Sequence, residues 1–337
     1  EHYYLINFKY QNMRSIITGG AGFLGSHLAE KLVALKHEVI VLDNFFIGKL
    51  DNLKNIRGKI KIIKCDISKK GSWGQYLKKA DYVFHLAALS DIVPSIERPE
   101  NYLTTNVNGT LNVLQYCDSK KLKKFIYAAS SSCYGIPKKY PTKEITKINP
   151  QYPYALSKWM GEELVMHWSK VYKLKVISLR FFNLYGPRSR TSGTYGAMFG
   201  TFLAQKISGL PFTIVGNGNQ KRDFTYITDA VGAIVKASKS NINGKIFNVG
   251  SGNSISVNYI VKQLKGKKIF IPKRPGEPDK TFADIKKIKK YLKWTPKVNI
   301  DKGIKLLLKN IDDWKDAPVW TKNKIHIATK SWFKYLK

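Results

Sequence analysis

Acidic residues are scarce: 23 Asp and Glu face 58 Lys and Arg, a formal net charge of +35 in 337 residues. An excess of that size raises the question of nucleic acid. Arginine is nearly as scarce, with eight against 50 lysines. Base reading and bidentate phosphate pairing favour arginine. The lysines are spread in ones and twos along the chain, which reads as a lysine-rich solvated surface without a specific nucleic-acid partner. Some salt-sensitive affinity for polyanions is expected of any such surface. No apolar run reaches the ~20 residues of a membrane span. No signal peptide is legible, because Lys9 and Arg14 break the first apolar segment. Cys65, Cys117 and Cys133 are too few and too far apart for a metal or redox motif. They are expected to be buried free thiols of a cytoplasmic protein.

Apolar residues are plentiful, at 43%, enough for a real core. They alternate in a βα rhythm. Short apolar runs at 15–18, 39–42, 60–63, 82–86, 125–128 and 176–179 predict six strands. Helical spacing follows the first run, recurs around Val107–Leu114, and extends over 154–172. Short apolar strands between amphipathic helices imply a doubly wound parallel sheet covered on both faces, a Rossmann-type α/β fold. Beyond Gly186-Pro187 the rhythm loosens. The division expected is an extension over 1–12, a dinucleotide domain over 13–185 to which later segments return, a smaller α/β substrate lobe mainly over 186–310, and a tail over 311–337. The glycine-rich loop over 188–200 reads as a lid or a connection, and the tail as a packed amphipathic helix, with closure over the second lobe, an oligomer contact or a polyanion contact as its alternatives.

Thr18-Gly19-Gly20-Ala21-Gly22-Phe23-Leu24-Gly25 falls between the first strand and the first helix. There Gly19, Gly22 and Gly25 have separate duties: a tight turn, close backbone approach to a pyrophosphate, and tight helix–sheet packing. The helix N-terminus adds free N–H groups and positive partial charge. The second strand ends at Asp43, 18 residues after Gly25. A carboxylate there accepts from both ribose hydroxyls and repels a 2′-phosphate, which selects NAD over NADP. The competing reading of Asp43-Asn44 is a plain turn. Asp66 and Ile67, after the third strand, suit an adenine amino group and ring, or a plain loop.

Tyr154 and Lys158 stand four apart, on one face of a helix. A phenol of pKa about 10 serves as a base near neutrality only when cations favour its phenolate. Lys158 is one such cation, and an oxidised nicotinamide would be another. Ser130, at the end of the fifth strand, lies where ligands gather in such sheets and can relay a proton between a sugar hydroxyl and Tyr154. No metal site is expected.

With these residues goes a set of motifs: TGGAGFLGSHL, VLDN, CDI, HLAA, TTNVNGT, YAASSSCYG, YPYALSK, RFFNLYGPR, GNGNQKRDFTYITD, NVGSG and RPGEPDKTFADIKKIKKYLKW. From about Met13 to Lys297 the chain resembles the extended short-chain dehydrogenase/reductases, in their nucleotide-sugar epimerase and dehydratase group. The resemblance implies NAD as cofactor and a nucleotide sugar, with UDP favoured, as substrate. It adds Leu86, Ala87, Ala88, Ser90 and Thr105, with Asn106 beside it, to the cofactor contacts, together with Phe23, Leu24, Asn44, Gly48 and Phe181. For the substrate it implies Asn183, Arg222 and Arg274 at the diphosphate, Glu277 at the nucleoside ribose, and the segment 212–214, through Thr213, beside the base. The alternative for Arg222 is a surface pair with Asp223 or Asp229.

In this group Tyr154 would take the proton of the sugar 4-hydroxyl as C4 is oxidised. An epimerase then reduces the 4-keto sugar from its other face. The 4,6-dehydratases carry Asp-Glu after the strand-end hydroxyl, and glucuronate decarboxylases Ser-Glu. Here Ser131 and Ser132 stand there, as substrate contacts, and neither supplies carboxylate chemistry. The expectation is a UDP-hexose, UDP-N-acetylhexosamine or UDP-uronate 4-epimerase, redox-neutral, retaining its cofactor and working as a homodimer. A dehydratase or decarboxylase of the same group is the alternative. A non-catalytic NAD- or polyanion-binding protein is the alternative of another class.

Overall fold

The computed structural model describes residues 12–189 and 197–336. Most of the 1–12 extension, and the middle of the 188–200 loop, lie outside the described residues. Seven strands form one parallel sheet: β1 (Arg14–Thr18), β2 (Glu38–Asp43), β3 (Ile60–Lys64), β4 (Tyr82–His85), β5 (Lys124–Ser130), β6 (Val176–Phe181) and β7 (Lys245–Val249), in the order β7-β6-β5-β4-β1-β2-β3. The chain runs from β1 outward to β3, then crosses to β4 and continues the other way. That reversal opens a crevice beyond the carboxyl ends of β1 and β4, where doubly wound sheets take their ligands.

Neighbouring residues of each strand serve opposite faces, as the pleat requires. Ile17, Val41, Phe84, Ile126 and Ile177 pack into one core layer with Leu28 and Leu32 of the helix Phe23–Ala34 and Ala233 and Ile234 of the helix Ile227–Lys239. Ile16, Ile40, Val83, Phe125 and Val176 pack into the other, with Val113, Leu114 and Val165. This is why the strands read as unbroken apolar runs. β3 differs: as an edge strand it exposes Lys61 and Lys64, which discourages pairing with another chain.

β7 was not among the strands expected from the apolar rhythm. It follows the irregular stretch and carries a buried Asn248 in a five-residue run. The Asn248 amide is satisfied by the Thr142 carbonyl (2.9 Å) and the Tyr134 hydroxyl (2.7 Å). The smaller lobe has its own core, formed by Phe199, Phe202, Phe212, Ile214, Phe224, Ile260, Leu307 and Trp314. The strand Phe212–Val215 pairs there in parallel with Lys268–Ile271. The tail forms two short helices, Lys322–Ala328 and Lys330–Tyr335. Among the described residues, no helix is long and apolar enough to cross a membrane.

The three cysteines are free, but only Cys133 is fully buried; Cys65 and Cys117 are half-buried, which corrects the expectation. Cys65 ends up on the crevice wall because it follows the edge strand directly. Burial pushes the thiols of Cys65 and Cys133 up to about 12, so neither is a ready thiolate.

Candidate active site

The crevice is a cavity of about 680 Å³, within the range of small-molecule sites. Apart from Asn106 and two residues of the 212–214 segment, the site residues expected from the sequence line it, although the chain supplies them from position 19 to position 277.

One half is built on backbone. Gly19 turns the chain with φ +69°, and a Cβ there would come within 2.8 Å of Ala87 backbone atoms. A Cβ on Gly25 would overlap the Gly19 carbonyl oxygen. Gly22 precedes the helix Phe23–Ala34 and has no capping side chain, so the first-turn N–H groups are left for a ligand. Gly22, Phe23 and Leu24 line the cavity beside them. Asp43 is buried at the end of β2 and accepts from Ala21 N (2.9 Å) and Phe45 N (2.8 Å). A carboxylate has about four acceptor positions, so capacity remains for a diol. Burial raises the Asp43 carboxyl, and those two backbone bonds offset only part of that rise. A Cβ on Gly48 would stand 2.9 Å from both carboxylate oxygens; glycine keeps that space open. A cradle without Cβ atoms, a helix start and a diol acceptor fit a dinucleotide. Asn44, Asp66 and Ile67 continue this wall, with Asp66 holding Ser68 N at 2.9 Å.

Beyond β4 the wall rests on a polar chain. Thr110 donates to the Asn106 carbonyl (2.6 Å), so His85 Nε2, 2.9 Å from the Thr110 hydroxyl, is the donor there. His85 Nδ1 then accepts from Thr18 (2.7 Å), whose oxygen accepts from Leu86 N and Ala87 N, both at 3.2 Å. Burial holds His85 neutral, its pKa lowered to about 3. Ala88, Ser90 and Thr105 complete the lining. Asn106 is placed differently from the expectation: it lies behind the wall and bonds Leu89 N (2.8 Å), Leu89 O (2.9 Å) and Ser157 Oγ (2.9 Å). It ties the 86–90 loop to the helix Pro153–Val171.

That helix opens on Pro153, whose missing N–H costs nothing in a first turn. It presents Tyr154 and Lys158 to the cavity. Tyr152 stacks on Tyr154 (ring centroids 6.3 Å, 7°) and Tyr102 meets it edge-on (6.4 Å). Burial raises the Tyr154 phenol, against a hydrogen bond from Ser130 that lowers it. Burial also lowers Lys158 to about 7, against the attraction of Glu162. The expected depression of the phenol is therefore not a property of the chain alone. Lys158 Nζ lies 4.4 Å over the Tyr127 ring. Ser130 caps the next turn, accepting from Ser132 N (3.2 Å) with its hydroxyl 2.8 Å from that of Ser132. Ser131, Ser132 and Phe181 line the same end.

The other half is built on side chains. Arg222 pairs with Glu277 (3.3 Å), and Arg274 lies 3.9 Å from the same oxygen. The Asp223 carboxylate turns instead to Ser251, Gly252 and Ala283, and that of Asp229 to Lys297 and Val298. Asn183 accepts from Thr281 (2.9 Å). Of the segment 212–214 only Thr213 faces the cavity; Phe212 and Ile214 enter the lobe's core, because alternate strand residues point opposite ways. Asp91, Tyr152, Phe224, Thr281 and Trp332 also line the site and were missed from the sequence. Tyr152 was signalled only by standing next to the YPYALSK helix start, and Trp332 by nothing local.

A family model described as the NAD-dependent epimerase/dehydratase family matches residues 15–250. A UDP-N-acetyl-alpha-D-glucosaminuronate decarboxylase of Bacillus cytotoxicus is 32% identical over 87% of this chain and 95% of its own. The crystal structure of a UDP-glucose 4-epimerase from Thermotoga maritima, with UDP-glucose, superposes with a TM-score of 0.84 at 31% identity, over 89% of this chain and 99% of that one. A UDP-glucuronic acid 4-epimerase from Bacillus cereus, in complex with UDP-glucuronic acid and NAD, gives 0.82 at 32% identity and the same coverage.

Proposed function

The chain belongs to the NAD-dependent epimerase/dehydratase family, and on that premise we propose that it interconverts UDP-hexoses epimeric at C4, using NAD. The observation that carries the reading is that Tyr154, in hydrogen-bond contact with Ser130, lines the same cavity as Lys158, with serines at 131 and 132. When bound, NAD⁺ supplies a hydride acceptor and a positive charge beside the phenol. Tyr154 takes the proton of the 4-hydroxyl and later returns it, through or beside Ser130. Lys158 stabilises the phenolate that exists between those events. Gly22 and the helix start take the pyrophosphate, Asp43 the ribose hydroxyls, and Arg222 and Arg274 the diphosphate of the sugar nucleotide. Glu277, the ion-pair partner of Arg222, is the residue we assign to the ribose of that nucleotide.

Decarboxylation is the second reading, since several relatives, the Bacillus cytotoxicus protein among them, bear that name. Among the described residues, the carboxylates on the cavity wall are Asp43, Asp66, Asp91 and Glu277, and positions 131 and 132 carry hydroxyls. That favours return of the hydrogen over loss of carbon dioxide or water. A homodimer in the cytoplasm completes the proposal. Leu103, Leu156 and Met160, about 37–39% exposed, give the helix Pro153–Val171 and its neighbour an apolar outer stripe suited to pairing. Incubating the purified protein with UDP-glucose, UDP-N-acetylglucosamine and UDP-glucuronate, without added cofactor, tests the reaction by NMR. A C4 epimer of at least one is expected. A pentose or a 4-keto-6-deoxy sugar as sole product would replace the reading with a lyase.

A further inference from the structure

The tail past residue 310 belongs to no motif, yet it reaches the cavity wall at two places. Near the base side, the Gln205 amide donates both to the Trp320 carbonyl (2.7 Å) and to the Thr213 hydroxyl (2.9 Å). Near the diphosphate side stands Trp332, in the helix Lys330–Tyr335. The residue is 97% buried and still forms part of the lining. Its indole N–H donates to the Pro275 carbonyl at 2.7 Å. The Arg274 guanidinium lies 5.3 Å over its ring, and Tyr152, which stacks on Tyr154, packs against it at 6.2 Å. Ser331 anchors the same turn by donating to Glu97 (2.8 Å).

We propose that the tail is a strap for substrate and that Trp332 is a positioning residue, fixing Arg274 for the diphosphate. This rests on the UDP-sugar reading above. The aromatic face adds a hold on the guanidinium to that of Glu277, whose oxygen lies 3.9 Å away. The Pro275 bond fixes the backbone next to that arginine. Arginine is otherwise a long, mobile side chain, and ordering it in advance removes an entropic cost from binding. Trp332 thereby acts through Arg274 on affinity for the nucleotide, with no part in the proton chemistry at Tyr154.

The test is a double-mutant cycle in the NAD-loaded full chain, read as KM and kcat for the UDP-sugar and as UDP affinity by calorimetry. Trp332→Ala is expected to weaken UDP binding and raise KM by roughly tenfold, with kcat within about threefold of the parent. Trp332→Phe, which keeps a ring under the guanidinium, should recover most of the loss. In an Arg274→Ala background, Trp332→Ala should change neither quantity further. Equal losses in both backgrounds, or a fall in kcat with KM unmoved, overturn the proposal. So does a Phe variant as weak as the Ala variant. Should the parent itself bind no UDP and turn over no UDP-sugar, the functional reading fails, and this inference with it.

Discussion

The two halves of the cavity are held by different means. The half we assign to the dinucleotide is a backbone structure: Gly19 in a left-handed turn, Gly25 against the Gly19 carbonyl, and Asp43 fixed by two main-chain N–H groups. The half we assign to the nucleotide sugar is an assembly of side chains. Arg222 and Arg274 share Glu277, Thr213 leans on Gln205, and Trp332 arrives from the tail. Backbone geometry is all-or-none, since a carbonyl oxygen cannot move aside as a side chain can. Side-chain geometry degrades by steps. The two halves should therefore respond differently to substitution.

Tyr154 sits where they meet. Tyr154→Phe should cost roughly 10³-fold in kcat while NAD retention and UDP binding stay intact. Turnover within a few-fold of the parent would remove Tyr154 from its role. On the backbone side, Gly25→Ala places a Cβ where the Gly19 oxygen is. The protein should then purify without NAD, with affinity down by about 100-fold or more. On the side-chain side, Arg222→Ala should raise KM by about 10- to 100-fold and leave NAD in place. If the glycine variant kept its cofactor, or the arginine variant lost it, the division between the halves would not hold.

The smallest effect concerns Lys158. Its folded pKa, about 7, is below the ordinary 10.5. Between those values the unfolded chain carries a proton that the folded chain lacks, so folding stability rises with pH across that interval. The burial penalty is full below about pH 7 and gone above 10.5. In NAD-free protein, Lys158→Met should melt a few degrees above the parent at pH 7, with the gap closing as pH approaches 10.5. A pH-independent gap would mean that Lys158 is not strained by burial.

The same contrast explains what could be read before the structure was known. A backbone cradle must be contiguous, so TGGAGFLG announces it, and Asp43 follows at the end of the next strand. Tyr154 and Lys158 are legible for a like reason: a helix places positions four apart together. β7 escaped because its apolar run is short and follows an irregular stretch, so periodicity had little to act on. The half proposed for the substrate became legible only through family resemblance, because no local rule brings residues 183, 213, 222, 274 and 277 to one wall. Trp332 lay beyond even that. Its place depends on how the last helices dock on the helix Ile92–Glu97 and the 274–276 loop, and that is tertiary information.

The central claim is that hydrogen leaves C4 of the sugar and comes back to it inside one closed site. UDP-glucose, or whichever UDP-sugar proves reactive, carrying deuterium at C4 tests this most directly. The account predicts that the C4 epimer forms with the deuterium still on C4 and none released to water. Deuterium lost to solvent and replaced by a solvent proton at C4 would contradict it.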